Sequence, residues 1–296
     1  MKRLAVLLML NGGLWLVTAL AYRGDALLLG AALLAWALGL RHALDADHIA
    51  AIDNVARSLT AQGRPAGATG LYFAAGHSTV VALAALAVTV APSVGLLLER
   101  AHAGLGLAGV LASTVFLVLM AGANALSLWR GTGSRSRGPV VRLAAPWFDV
   151  VRRSWQMYPL GLLFGLGFDT ASEIALLALT ARAGTGAAPL AGMLLPALFA
   201  AAMALLDTAN SEVSARAYRW SAPGWRRRYD VVVTAISIAA AVLVASAQLL
   251  AMAGRDLASL LPALPDGVGG TLIALALLGS WATAWLLHRR RRARGS

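Results

Sequence analysis

Eight long apolar stretches, each followed by a short polar or basic segment, constrain this chain more than any other feature. They cover roughly residues 4–21, 26–56, 70–90, 103–129, 157–181, 188–213, 231–254 and 270–288. A helix needs about 20 largely apolar residues to cross a bilayer. Lipid offers no partner to an unpaired backbone group, so an open segment crosses only as a helix. The stretches are rich in Ala, Gly and Leu, which suits close helix packing rather than a barrel. The expected fold is therefore an all-α polytopic membrane protein of about eight transmembrane helices. Composition agrees, with 59% hydrophobic and only 13% charged residues and a mean hydropathy of +0.72.

A formal net charge of +12 could suggest nucleic acid, but the placement of the charges argues for topology instead. The N-terminus (Lys2, Arg3), the 57–69 loop, the 130–156 segment, the 214–230 loop and the Arg289–Arg292 tail are basic. The intervening loops carry Arg23, Arg100, Arg182 and Arg255, three of them offset by Asp25, Glu99 and Asp256. That alternation follows the positive-inside rule with both termini cytoplasmic. The expected location is the cytoplasmic (inner) membrane, with a single multi-pass transmembrane domain over 1–296. The expected partner is the lipid bilayer and not nucleic acid, and the oligomeric state stays open. No cysteine is present, so thiolate sites and disulfides are excluded. The first stretch ends in Ala19-Leu20-Ala21, like a signal-peptide cleavage site, but is long enough to span and is expected to be retained. The segment 130–156 reads as a basic, Gly- and Ser-containing cytoplasmic linker between four spans on either side.

Ionisable groups inside the spans carry the chemistry. Of 13 acids, Asp45, Asp47, Asp53, Asp169, Glu173, Asp207 and Glu212 fall within apolar stretches, as do His42, His48 and His77. Each such group costs about 2.5–3.5 kcal/mol or more at the bilayer centre, so a cluster implies a polar pathway or a bound ion. The densest run is Arg41-His42-Ala43-Leu44-Asp45-Ala46-Asp47-His48. At about 100° per residue His42, Asp45 and His48 step down one side of a helix, while Asp47 lies about 140° from His42. A regular helix cannot aim all four at one ion without local unwinding. The i,i+4 spacings of Arg41 with Asp45 and of Asp53 with Arg57 allow ion pairs. His77 follows Gly76, which would let a neighbouring helix approach.

Depth counted from the cytoplasmic ends at ~1.5 Å per residue puts His77, His48, Asp207, Asp169 and His42 about 10–21 Å deep. That slab surrounds the midplane, where transporter sites lie. Imidazole with carboxylate and no sulfur suits Ni²⁺, Co²⁺ or Zn²⁺ better than Cu⁺. No phosphate-binding loop is present, so an electrochemical gradient is the expected energy source and the chain is not expected to be an enzyme.

These segments resemble the nickel/cobalt transporter (NiCoT) family. The resemblance rests on Arg41-His42-Ala43-x-Asp45-Ala46-Asp47-His48-Ile49 and Phe73-x-x-Gly76-His77-Ser78-Thr79-Val80-Val81. It extends to Leu166-Gly167-Phe168-Asp169-Thr170-Ala171-Ser172-Glu173 and to Met203-x-x-x-Asp207-Thr208-Ala209-Asn210. Ser172 stands where Thr is usual, Ala202 and Ser211 replace Gly, and Asn210 replaces Asp. The resemblance implies a secondary transporter of Ni²⁺ and/or Co²⁺, most simply for uptake, with the metal as cargo and no cofactor. Its metal ligands would be His42, Asp45, Asp47, His48 and His77. Asp169, Glu173, Asp207 and Asn210 would line the ion pathway. The alternatives are an exporter of the same superfamily, which the His-free linker disfavours, and an intramembrane metalloenzyme. The i,i+4 histidine pair of a zinc-protease helix is missing.

Overall fold

The computed structural model describes residues 2–90, most of 107–122, 151–166, 171–183, 189–220 and scattered positions between 231 and 282. Among the described residues every regular element is helical. The long helices are α1 (Lys2–Ala21), α2 (Ala26–His42), α3 (Ala46–Ala61) and α4 (Thr69–Val90). They are followed by α5 (Gly109–Leu119), α6 (Met157–Gly165), α7 (Ala171–Ala183) and α8 (Leu194–Trp220). Three helices, Lys2–Ala21, Thr69–Val90 and Ala191–Arg219, are by themselves long and apolar enough to cross a bilayer. Just under half of the seventh stretch and only Gly279 and Ala282 of the eighth are described, and the linker over 130–150 lies outside the described residues.

The stretch 26–56 is not one helix. It ends at His42 and restarts at Ala46. Charge placement explains the break. Arg41 occupies the last turn of α2, whose carbonyl end favours cations. Asp45 is the N-cap of α3 and Asp47 lies in its first turn, where amide groups favour anions. The Asp47 carboxylate accepts the backbone N–H of His48 at 2.9 Å. Each such match contributes roughly 0.3–1 kcal/mol. A continuous 31-residue helix would be about 46 Å long, well beyond a ~30 Å hydrocarbon core. The depth expected for His42, which assumed an unbroken helix, is corrected accordingly, and so is the helical Arg41–Asp45 pair. The stretch 157–181 likewise contains α6, a turn at Leu166 and α7, with 167–170 outside the described residues.

The chain forms two compact units that interleave along the sequence instead of dividing at the linker. The first comprises Met1–Ala43, Gly70–Ala112 and Met157–Ala209. Its core joins Ala32, Ala35, Ala74, Val81, Leu176, Leu198, Phe199 and Met203. Asn11 pins α1 into this unit, donating to the Ala201 carbonyl at 3.1 Å and accepting from the Trp36 indole at 3.1 Å. The Tyr22 hydroxyl donates to the Ala191 carbonyl at 2.5 Å. That bond ties the α1–α2 turn to the segment preceding α8.

The second unit comprises Leu44–Thr69, Ser113–Gln156 and Asn210–Ser296. Asp53 is fully buried and accepts from Arg57 at 2.9 Å and from the Ser214 hydroxyl at 2.6 Å. Arg57 also donates to Asn54 at 3.0 Å. Sequence spacing had suggested the Asp53–Arg57 pair, and the Ser214 bond adds the C-terminal end of α8 to it. Helix α3 closes on Gly63, whose φ of +72° lets the Arg64 N–H reach back to the Leu59 carbonyl at 2.8 Å. Arg64 then donates to the Arg152 carbonyl, and the Ser154 hydroxyl to the Pro65 carbonyl. The loop after α3 and the segment before α6 are therefore held together.

Candidate metal site

Three helices of the first unit bring one donor each to a common point. His42 is the last residue of α2, His77 sits in α4, and Glu173 lies in the first turn of α7. All three are buried, at 1–2% exposure. His77 Nε2 stands 3.0 Å from His42 Nε2 and 2.9 Å from Glu173 Oε1, and His42 Nε2 is 3.9 Å from that oxygen. The two imidazoles are close enough to share one metal ion. Two imidazoles and a carboxylate, with no sulfur, form a donor set that suits a borderline divalent cation.

Glycines allow this convergence. A Cβ on Gly76 would collide with the Tyr158 carbonyl, and one on Gly161 with the Phe73 carbonyl. A Cβ on Gly165 would lie 2.9 Å from the His77 carbonyl oxygen. Helices α4 and α6 thus cross backbone to backbone, fixing the turn that carries His77. The approach expected at Gly76 is present. Its counterpart Gly161-x-x-x-Gly165 on α6 escaped the sequence reading, although small residues at i and i+4 are a known signal for such crossings. Gly39 similarly seats α2 on the Phe199 carbonyl of α8. Aromatic rings wall the site, with Phe199 5.5 Å from the His42 ring and Phe73 6.3 Å from the His77 ring. Phe164 stacks edge-on against Phe73. Apolar walls exclude water and strengthen any ion–donor attraction inside.

The other expected site residues are distributed differently. Glu173, expected in the pathway, stands directly against His77. Asp207 is fully buried on α8, where its backbone carbonyl abuts Gly70. His48 is buried in the first turn of α3, in the second unit, beside the half-buried Asp45 and Asp47. Asn210, also in the second unit, accepts from the Ser214 hydroxyl at 3.5 Å. Asp169 lies outside the described residues. Arg41 donates instead to the Ser172 hydroxyl at 2.6 Å, a contact that local spacing could not reveal.

The family model described as high-affinity nickel-transport protein (NicO) matches residues 28–137 and 131–290. The hydrogenase nickel incorporation protein HupN of Bradyrhizobium diazoefficiens is 43% identical over 86% of this chain and 74% of its own length. Nickel transporter NixA of Staphylococcus aureus is 42% identical, covering 78% of this chain and 75% of its own. The cobalt transport protein NhlF of Rhodococcus rhodochrous is 40% identical over 76% and 71%. No solved structure matches the chain.

Proposed function

The chain belongs to the high-affinity nickel-transport family, a multi-pass membrane family, and we propose that it carries Ni²⁺, Co²⁺ or both through the His42–His77–Glu173 site. The single observation that carries this reading is the burial of two imidazoles and one carboxylate from three helices within 3.9 Å of one another. The donor types suit a borderline divalent ion, and the relatives named as nickel and cobalt transporters support those two. The cargo enters as a dication.

His48, Asp45 and Asp47 are assigned to the same ion on the sequence pattern, in which they follow His42 within six residues. The helix break frees their backbone from a regular 100° step, removing the angular objection to joint coordination. Asp169, Asp207 and Asn210 are assigned to the pathway on either side. Transport is driven by an electrochemical gradient and runs into the cytoplasm across the inner membrane, with no chemical step and no cofactor. The positive-inside loops support the orientation.

The test is uptake of radiolabelled nickel and cobalt by cells producing the full chain. His42→Ala, His77→Ala and Glu173→Gln should each remove most uptake while the protein remains in the membrane. Wild-type uptake by any two of them would refute the site.

A further inference from the structure

Two of the three donors sit at helix ends, where backbone restraint is weakest. His42 closes α2 and Glu173 lies in the first turn of α7. A site whose bond lengths tolerate about 0.2 Å needs something to hold those ends together. The residue preceding each donor provides it. Arg41 precedes His42, Ser172 precedes Glu173, and the Arg41 guanidinium donates to the Ser172 hydroxyl at 2.6 Å. Ser172 is fully buried, and α2 packs directly on α7.

The charge of Arg41 makes its place informative. A guanidinium beside a cation site repels the cargo by Coulomb's law, so attraction cannot be its purpose. We propose that Arg41, acting through Ser172, is a positioning residue that latches the C-terminal end of α2 to the N-terminal end of α7. The latch fixes the separation of the His42 imidazole and the Glu173 carboxylate before the metal arrives. Its planar fork loses little freedom on forming the bond, which a lysine could not reproduce. This inference rests on the metal-site reading above.

The experiment uses the full chain purified in detergent, titrated with Ni²⁺ by calorimetry, alongside nickel uptake in cells. Arg41→Gln and Ser172→Ala should each weaken Ni²⁺ binding by about ten- to hundredfold, the usual cost of losing an outer support. Half-saturation of uptake should rise in step while the maximal rate per transporter holds. Ser172→Thr keeps the hydroxyl and should bind like the wild type. Because both changes break one bond, the double variant Arg41→Gln/Ser172→Ala should be no weaker than the poorer single. Wild-type affinity in Ser172→Ala, or losses that add in the double variant, would overturn the latch. Should Arg41→Gln fail to accumulate, Ser172→Ala and Ser172→Thr still decide the matter. If His42→Ala and Glu173→Gln themselves bind Ni²⁺ normally, the metal site falls. If they lose binding and Ser172→Ala does not, only the latch falls.

Discussion

Replacing Gly161 by alanine tests whether backbone crossing, rather than the donors alone, makes the site. A Cβ there would sit 2.9 Å from the Phe73 carbonyl carbon and 3.0 Å from the His77 nitrogen, and closer still to the Phe73 oxygen. Carbon contacts are comfortable near 3.5–4.0 Å, so α4 and α6 must separate by about 1 Å. All the close atoms are backbone, and no flexible side chain can swing aside. Overpacking of this kind costs roughly 1–3 kcal/mol of stability, which leaves a folded protein in most cases. The His77 imidazole travels with α4, and its displacement would exceed the ~0.2 Å tolerance of a metal–ligand bond several-fold. Nickel affinity of the purified variant should therefore fall by at least tenfold, about 1.4 kcal/mol, with a modest drop in Tm. Gly30→Ala is the control. Its Cβ meets nothing within 4 Å, and alanine is the better helix former by about 1 kcal/mol. Calorimetric nickel titration of both variants, with Tm measured in the same detergent, decides the point. A folded Gly161→Ala variant with wild-type affinity would show that the crossing does not set the donor geometry.

Other expectations follow from the second unit and from the topology. Arg57→Ala leaves the Asp53 carboxylate buried without its cationic partner and should cost about 3–5 kcal/mol, read as a large fall in Tm. Pairing it with Asp53→Asn should recover much of that loss, and an unchanged Tm in Arg57→Ala would mean the pair is energetically idle. Single cysteines introduced at 130–138 or 221–225 in this cysteine-free chain should resist an impermeant thiol reagent in intact cells; rapid labelling would invert the orientation. His102→Ala and His288→Ala, both outside the motifs in the sequence, should transport nickel nearly normally, and a loss as severe as that of His77→Ala would move the site elsewhere.

Much of this protein was legible in its sequence. The apolar stretches dictate membrane helices because lipid leaves the backbone no other way to satisfy itself. The motifs around His42, His77, Glu173 and Asp207 resemble the nickel/cobalt transporters, and the chain's relatives place it in that family. The helix break was not read from the sequence, although Arg41 followed by Asp45 and Asp47 has the charge order of a helix end followed by a helix start. What the sequence did not determine is which donors meet. Periodicity reports the face of a helix on which a residue lies, and says nothing of the helix opposite. His42 meets His77 from 35 residues away, and His77 meets Glu173 from 96. Those meetings depend on how closely backbones approach, and that is fixed by Gly39 on Phe199, Gly76 on Tyr158, and Gly161 and Gly165 on the Phe73–His77 turn. Close approach is a property of two packed surfaces, so only the tertiary structure decided it.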